Sequence, residues 1–216
     1  MSYKLAIFDL DGTLLDTLDD LTDAVNHTLA AYDLPLRTKE EVCSFIGNGA
    51  RHLIACSAGE GIDEDTVNAI LNEYSAYYKT HGDIKTKPYD GIMNMLDKLK
   101  TSGVRLAMLS NKPDYAVQIL NKRYFGDVFD FAAGERPEIR RKPAPDAIYA
   151  ILDKFGISAV NAVYIGDSDV DVEVAKNAGM DCISVCWGFR DANFLCEHGA
   201  TRIVSNTNEL FDAITK

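Results

Sequence analysis

Asp9 and Asp11 stand two residues apart, followed at once by Gly12 and Thr13. Like charges held close repel unless a cation lies between them or one carries a proton. The pair therefore implies metal binding, acid/base chemistry or both, against the plainer alternative of an acidic turn. Further along, Ser110 offers a hydroxyl, Asn111 an amide and Lys142 a compact positive charge. Together such groups can hold a transferring phosphoryl group, whose developing negative charge calls for donors and cations. Taken singly, Ser110-Asn111-Lys112-Pro113 reads equally as a helix start, and Lys142 as a solvated lysine. Asp167 and Asp171, four apart, can face one ligand. An EF-hand calcium loop would need a glycine and a terminal glutamate at offsets that are absent here. A hard cation that needs few protein oxygens, such as Mg²⁺, suits the scattered carboxylates Asp9, Asp11, Asp167 and Asp171 better.

These groups follow apolar runs. Residues 3–8, 104–109 and 162–165 read as buried strands, each ending in the polar residues just named. Residues 128–133, 182–185 and 201–204 read as three further short strands. Helical stripes lie between them: 92–99 closed by Gly103, 113–120 opened by Pro113, 143–155 closed by Gly156 and 170–178 closed by Gly179. Asn206, with Glu209 three residues on, is the expected cap of a last helix. Strands alternating with helices imply a parallel sheet, whose site lies beyond the C-terminal strand ends. That rule brings Asp9, Asp11, Ser110, Asn111 and Asp167 to one edge.

Between the first strand and this alternating region the texture is helical throughout. Leu18, Leu21, Val25 and Leu29 recur at helical spacing, as do Val67, Ile70, Leu71, Tyr74 and Tyr78, and no strand is expected over residues 18–86. The expected organisation is an α/β Rossmann-like core, residues 1–15 and 86–216, carrying an inserted all-helical domain over 16–85. In the insert, Gly47-Asn48-Gly49 permits close backbone approach, and Arg51 can pair with a substrate carboxylate or a second anionic group. A helix-helix turn with a surface arginine explains the same residues.

The formal charge of −11 disfavours a nucleic acid polymer or an anionic membrane as partner, while leaving room for a small anionic substrate. Five scattered cysteines without a CxxC pair read as structural thiols of a reducing compartment. Cys182, Cys186, Cys196 and His198 have the wrong spacing for a zinc knuckle. With no signal-like apolar run in the first ten residues and no long apolar span, the expected location is cytoplasmic. A monomer or a homodimer is equally compatible with the chain.

Asp9-Leu10-Asp11-Gly12-Thr13, Ser110-Asn111-Lys112, Lys142-Pro143-Ala144-Pro145 and Gly166-Asp167-Ser168-Asp169-Val170-Asp171 resemble the four ordered motifs of the haloacid dehalogenase superfamily. Within it, the helical insert after the first motif and the segment Trp187-Gly188-Phe189-Arg190 resemble the phosphoglycolate phosphatase-like branch. The resemblance implies a Mg²⁺-dependent phosphatase acting on a small phosphorylated metabolite through an aspartyl-phosphate. Asp9 would be the nucleophile and Asp11 the general acid and base. Ser110 and Lys142 would grip the phosphoryl oxygens. Gly12, Thr13 and Asn111, with Asn48, Gly49 and Arg51 of the helical insert, would bind substrate. Mg²⁺ would be held by Asp9, the Asp11 carbonyl and Asp167, with Asp171 or Asp169 in support. The alternatives are a sugar phosphomutase, for which the hinge histidine is missing, and a non-catalytic phosphate-binding or interaction protein.

Overall fold

The computed structural model describes residues 2–216. In chain order the elements are β1 (Leu5–Phe8), β2 (Leu15–Asp16), α1 (Leu18–Ala31), α2 (Lys39–Phe45), α3 (Gly49–Ala58), α4 (Glu64–His81), β3 (Lys87–Pro88), α5 (Ile92–Thr101), β4 (Arg105–Pro113), α6 (Asp114–Leu120), β5 (Phe131–Glu135), α7 (Asp146–Phe155), β6 (Ala162–Gly166), α8 (Asp169–Ala178), β7 (Asp181–Val185), α9 (Ala192–Glu197), β8 (Ile203–Val204) and α10 (Thr207–Thr215). The chain divides into two compact units, one formed by the segment ending at Leu15 with Pro88–Lys216, the other by Asp16–Lys87. At the two passages between them, β2 and β3 pair as a two-stranded sheet.

The first unit is an α/β sandwich around a six-stranded sheet of order β5-β4-β1-β6-β7-β8, with every main pairing parallel. Period-2 alternation splits the strand residues between two cores. Ala6, Phe8, Leu106 and Met108 face one, with Ile92, Met95, Leu96, Leu99, Leu210 and Ile214 of α5 and α10. Leu5, Ile7, Ala107 and Leu109 face the other, with Ile148, Ile151, Val174 and Ala175 of α7 and α8. Both faces are covered, which is why these strands read as continuous apolar runs. The chain leaves β1 for β4 on one side and later returns to β6 on the other, so the crevice beyond the ends of β4, β1 and β6 is a topological switch point.

The second unit is built of α1 to α4, packed through Leu21, Ala24, Val25 and Leu29 of α1 and Val67, Ile70, Tyr74 and Tyr78 of α4. Thr38 and Glu41 form a reciprocal capping box at α2, and Asp63 caps α4. Asp20, buried in α1, accepts hydrogen bonds from the Lys85 and Thr86 amides and from the Thr86 hydroxyl, which ties the end of the unit to its beginning.

Some expectations shift. The strand expected over 128–133 begins at Phe131, because Phe129 turns into the core and the Asp130 carboxylate binds the Leu106 amide and Arg105. The strand expected over 201–204 is reduced to Ile203–Val204. Pro113 closes β4 and precedes α6 instead of lying inside it. Asn206 caps α10 through the amides of Asn208 and Glu209, whereas the Glu209 carboxylate reaches Ser205. The helix α9 was not expected. Among the described residues no helix is long and apolar enough to cross a membrane, and the five cysteines form no disulfide with one another.

Candidate active site

Alternation carried one residue past β1 places Asp9 on the face of Ile7, over α7 and α8. There its Oδ1 lies 3.1 Å from Lys142 Nζ. Lys142 also donates to Asp171 Oδ1 at 2.7 Å and to the Tyr164 hydroxyl at 2.8 Å. The main chain of Lys142 is fixed as well: Asn111 Oδ1 accepts from its amide at 2.9 Å, and Asn111 Nδ2 donates to its carbonyl at 3.0 Å. Asn111, expected to bind substrate, has its amide oxygen and one amide N–H on the Lys142 main chain, which helps to place the lysine.

Asp167 closes the group. Its Oδ1 accepts from the Thr13 hydroxyl at 2.9 Å and its Oδ2 from the Phe189 amide at 2.8 Å. Two glycines make room for it. A Cβ on Gly12, which has φ of +82°, would come to 2.2 Å from Asp167 Oδ2, and one on Gly188 would come to 2.5 Å from the same oxygen. Thr13, expected to touch substrate, is fully buried with its hydroxyl on Asp167, and Trp187 Nε1 donates to its carbonyl. Thr13 therefore orients a carboxylate. Asp171 Oδ2 accepts from the amide and hydroxyl of Ser168, a capping box that pins it at the start of α8.

Carboxylate oxygens of Asp9, Asp167 and Asp171 all lie within 4.8 Å of one another. Burial pushes the Asp9 carboxyl up to about 7; Lys142 opposes this, while the charges of Asp171 and Asp11 add to it. Burial likewise raises Asp167 well above its ordinary range, reinforced by Asp171 and Asp9. Burial alone would lower Lys142, but Asp171 and Asp9 outweigh it and hold the ammonium well above its usual value. Three buried carboxylates facing one lysine are short of positive charge, and an all-oxygen donor set fits a hard cation such as Mg²⁺. Asp171 is the member of the Asp169/Asp171 pair that joins this cluster.

Asp11 has a different ammonium partner. Lys112 Nζ contacts its Oδ1 at 2.8 Å and its Oδ2 at 3.1 Å, with the two side chains 4% and 12% exposed. Lys112 arrives there through an irregularity in β4: Leu109 pairs with Ala133 and Pro113 with Glu135, so three residues of β4 lie opposite Gly134 alone. Ser110, Asn111 and Lys112 occupy that bulge, all buried. Bulges re-aim side chains in this way beside active sites. Asp11 is not part of the three-carboxylate cluster through its side chain.

The fold thus brings Asp9, Asp11, Gly12, Ser110, Asn111, Lys142, Asp167 and Asp171 to one edge of the sheet. Asn48, Gly49 and Arg51 belong to the helical unit, at the start of α3, where Arg51 lies 3.5 Å from Glu64. Sequence reading missed Lys112 and Tyr164. A lysine beside a proline reads as solvated, and a tyrosine in a buried strand reads as core. The one available signal for Lys112 was that it shares strand parity with Ser110.

The haloacid dehalogenase-like hydrolase family model matches residues 6–185, which include all of these core residues. The chain belongs to the haloacid dehalogenase-like hydrolase family. It is 35% identical over 214 residues to phosphoglycolate phosphatase 1 of Pseudomonas aeruginosa, covering 96% of this chain and 78% of that one. It is 28% identical over 218 residues to the N-acetylmuramic acid 6-phosphate phosphatase of the same organism, covering 100% and 96% of the two chains. Among solved structures, a protein of Lactobacillus delbrueckii subsp. bulgaricus, provisionally assigned as a phosphoglycolate phosphatase, has a TM-score of 0.94 at 39% identity, covering 100% of this chain and 99% of that one.

Proposed function

We propose that this family member is a Mg²⁺-dependent phosphatase that hydrolyses a small phosphomonoester through an aspartyl-phosphate on Asp9. The observation that carries the reading is the juxtaposition of the buried Asp9 with Lys142 at 3.1 Å, beside the Asp9, Asp167 and Asp171 cluster. Asp9 and Asp167, with Asp171 in support, would hold Mg²⁺, which when bound would supply the positive charge that lets an anionic nucleophile meet an anionic phosphate. Lys142 and Ser110 hold phosphoryl oxygens. An Asp9 oxygen bonds to phosphorus as the bond to the leaving oxygen breaks, and Asp11 gives that oxygen a proton. Asp11 then takes a proton from the water that attacks phosphorus, and Asp9 is released. The helical unit takes the part of a cap, with Arg51 as partner for a second anionic group on the substrate.

The named relatives support a phosphomonoester substrate and differ in its identity, one being a phosphoglycolate and one a sugar-acid phosphate phosphatase. Phosphoglycolate leads. The test is phosphate release from phosphoglycolate, hexose phosphates, nucleoside monophosphates and pyrophosphate, with Mg²⁺ or with chelator, and with Asp9→Asn in parallel. The expected result is one strong substrate, with kcat/KM above about 10⁴ M⁻¹s⁻¹, and no turnover by Asp9→Asn or without metal. Release that survives the substitution would remove the aspartyl-phosphate mechanism.

A further inference from the structure

Tyr164 sits in the middle of β6 with no exposed surface, among Leu5, Ile7, Leu109 and Ile148. The ring is core material. The hydroxyl is not, since burying it without partners costs about 1–3 kcal/mol, and a valine or isoleucine would fill a buried strand position without that demand. Both of its partners are at the site. Tyr164 Oη donates to the Leu109 carbonyl at 2.9 Å, one residue before Ser110, and accepts from Lys142 Nζ at 2.8 Å. Its single proton is fixed on Leu109, so its lone pairs are what remain for the lysine.

A lysine ammonium has three N–H bonds and rotates freely unless its acceptors are fixed. Here the acceptors are Tyr164 Oη at 2.8 Å and Asp171 Oδ1 at 2.7 Å, while Asp9 Oδ1, 3.1 Å away, is an ion-pair partner outside hydrogen-bond geometry. Asp171 is itself immobilised by Ser168, and Tyr164 by Leu109. We infer that Tyr164 is a positioning residue for Lys142: its hydroxyl and Asp171 take two of the three N–H bonds, which holds the ammonium 3.1 Å from Asp9 Oδ1 and leaves the third N–H for the phosphoryl oxygen that comes to Asp9. The inference rests on the hydrolase reading above. The hydroxyl touches neither substrate nor nucleophile and acts through the ammonium alone. Without it, one N–H is released to turn toward other acceptors, and a group misdirected by a fraction of an ångström loses much of its effect on a transition state.

Tyr164→Phe removes the hydroxyl and keeps the ring. Wild type, Tyr164→Phe, Lys142→Met and the double variant are compared with phosphoglycolate and with p-nitrophenyl phosphate, at a temperature where thermal melts show all four folded. The expected result for Tyr164→Phe is a fall in kcat of about 10-fold with KM changed less than about 3-fold, on both substrates alike. In the Lys142→Met background the hydroxyl has no ammonium to aim. There, Tyr164→Phe should change kcat less than about 2-fold, although the melting temperature still falls because the Leu109 carbonyl loses its donor. A full 10-fold loss in that background would assign the hydroxyl a structural role only and overturn the inference, as would a Tyr164→Phe enzyme indistinguishable from wild type. Wild-type protein that releases phosphate from neither of these nor any other member of the panel above would instead overturn the hydrolase reading, and the inference with it.

Discussion

Lys112 shows how the site distributes charge residue by residue. Asp9 pairs with Lys142, and Asp11 with Lys112. Four carboxylates and two ammonium groups leave a formal deficit of two positive charges, the charge of one divalent cation. Removing a single partner of a nearly buried pair leaves the other less well compensated. Lys112→Met is therefore expected to destabilise the protein by about 2–4 kcal/mol and to lower kcat/KM by about 10-fold or more, since Asp11 loses an ion pair that helps to fix its side chain. Adding Asp11→Asn removes the under-compensated charge and should recover more than half of the lost stability while activity stays low. Urea denaturation of the four members of this cycle measures it. Strictly additive losses would mean that the two side chains do not depend on one another. At this scale the sequence was legible wherever chemistry follows a strand end, as at Asp9, Asp11, Ser110 and Asp167. It was silent where a side chain serves another side chain: Lys112, Tyr164 and the engaged amide of Asn111 all needed the third dimension.

At the scale of elements, the site depends on where backbone can approach backbone. Gly188, in the turn after β7, lies against Gly12 and Asp167, and a Cβ there would meet the Gly12 carbonyl oxygen at 2.2 Å and Asp167 Cβ at 2.5 Å. Neither neighbour is the far end of a flexible chain, so one of the two turns must move. Since Asp167 takes a hydrogen bond from the adjacent Phe189 amide, the displacement falls on a candidate metal ligand. Gly188→Ala is expected to cost about 1–3 kcal/mol of stability and to raise the Mg²⁺ concentration for half-maximal activity by about 10-fold. A Mg²⁺ titration of initial rates checks it, and an unchanged half-saturation point at reduced stability would confine Gly188 to packing. Helices and buried strands were readable because their periodicities are set by the two faces they bury. The bulge at Ser110 to Lys112 was not, because strand parity continues unbroken through those letters and the disruption is fixed by pairing with β5 around Gly134. The start of β5 was misplaced for a related reason: Phe129 and Phe131 look alike in sequence, and only the anchoring of Asp130 on Leu106 separates turn from strand.

For the molecule as a whole, the buried carboxylates couple stability to pH and metal together. Burial raises Asp9 and Asp167 above their unfolded values, so between about pH 4 and 7 the metal-free folded state binds more protons than the unfolded chain. Its stability should then fall as pH rises through that window, by up to about 1.4 kcal/mol per pH unit for each such group, and level off above about 7 at Asp9. Other carboxyls act in the opposite sense. Burial tends to raise Asp114, but the Gly134 amide and Arg136 hold it below its ordinary range. The same opposition, with Arg105 and the Leu106 amide prevailing, lowers Asp130. Their contribution is present above the unfolded carboxylate pKa and is lost as pH drops through the folded value, which destabilises the protein at the acid end. The metal-free protein should accordingly be most stable in mildly acidic solution. On the proposed function, Mg²⁺ would bind the ionised cluster in competition with its protons, so its stabilising effect should grow over the range in which the metal-free protein weakens. Thermal melts at about pH 5.5, 7 and 8.5, with Mg²⁺ or with EDTA, are expected to show a Mg²⁺-induced rise in Tm that is smallest at the lowest pH and largest at the highest. Asp167→Asn should abolish most of that rise at every pH. A metal-induced shift of equal size at all three values would mean that the cluster is already ionised without its cation, and the charge deficit at the site would have to be met from within the protein.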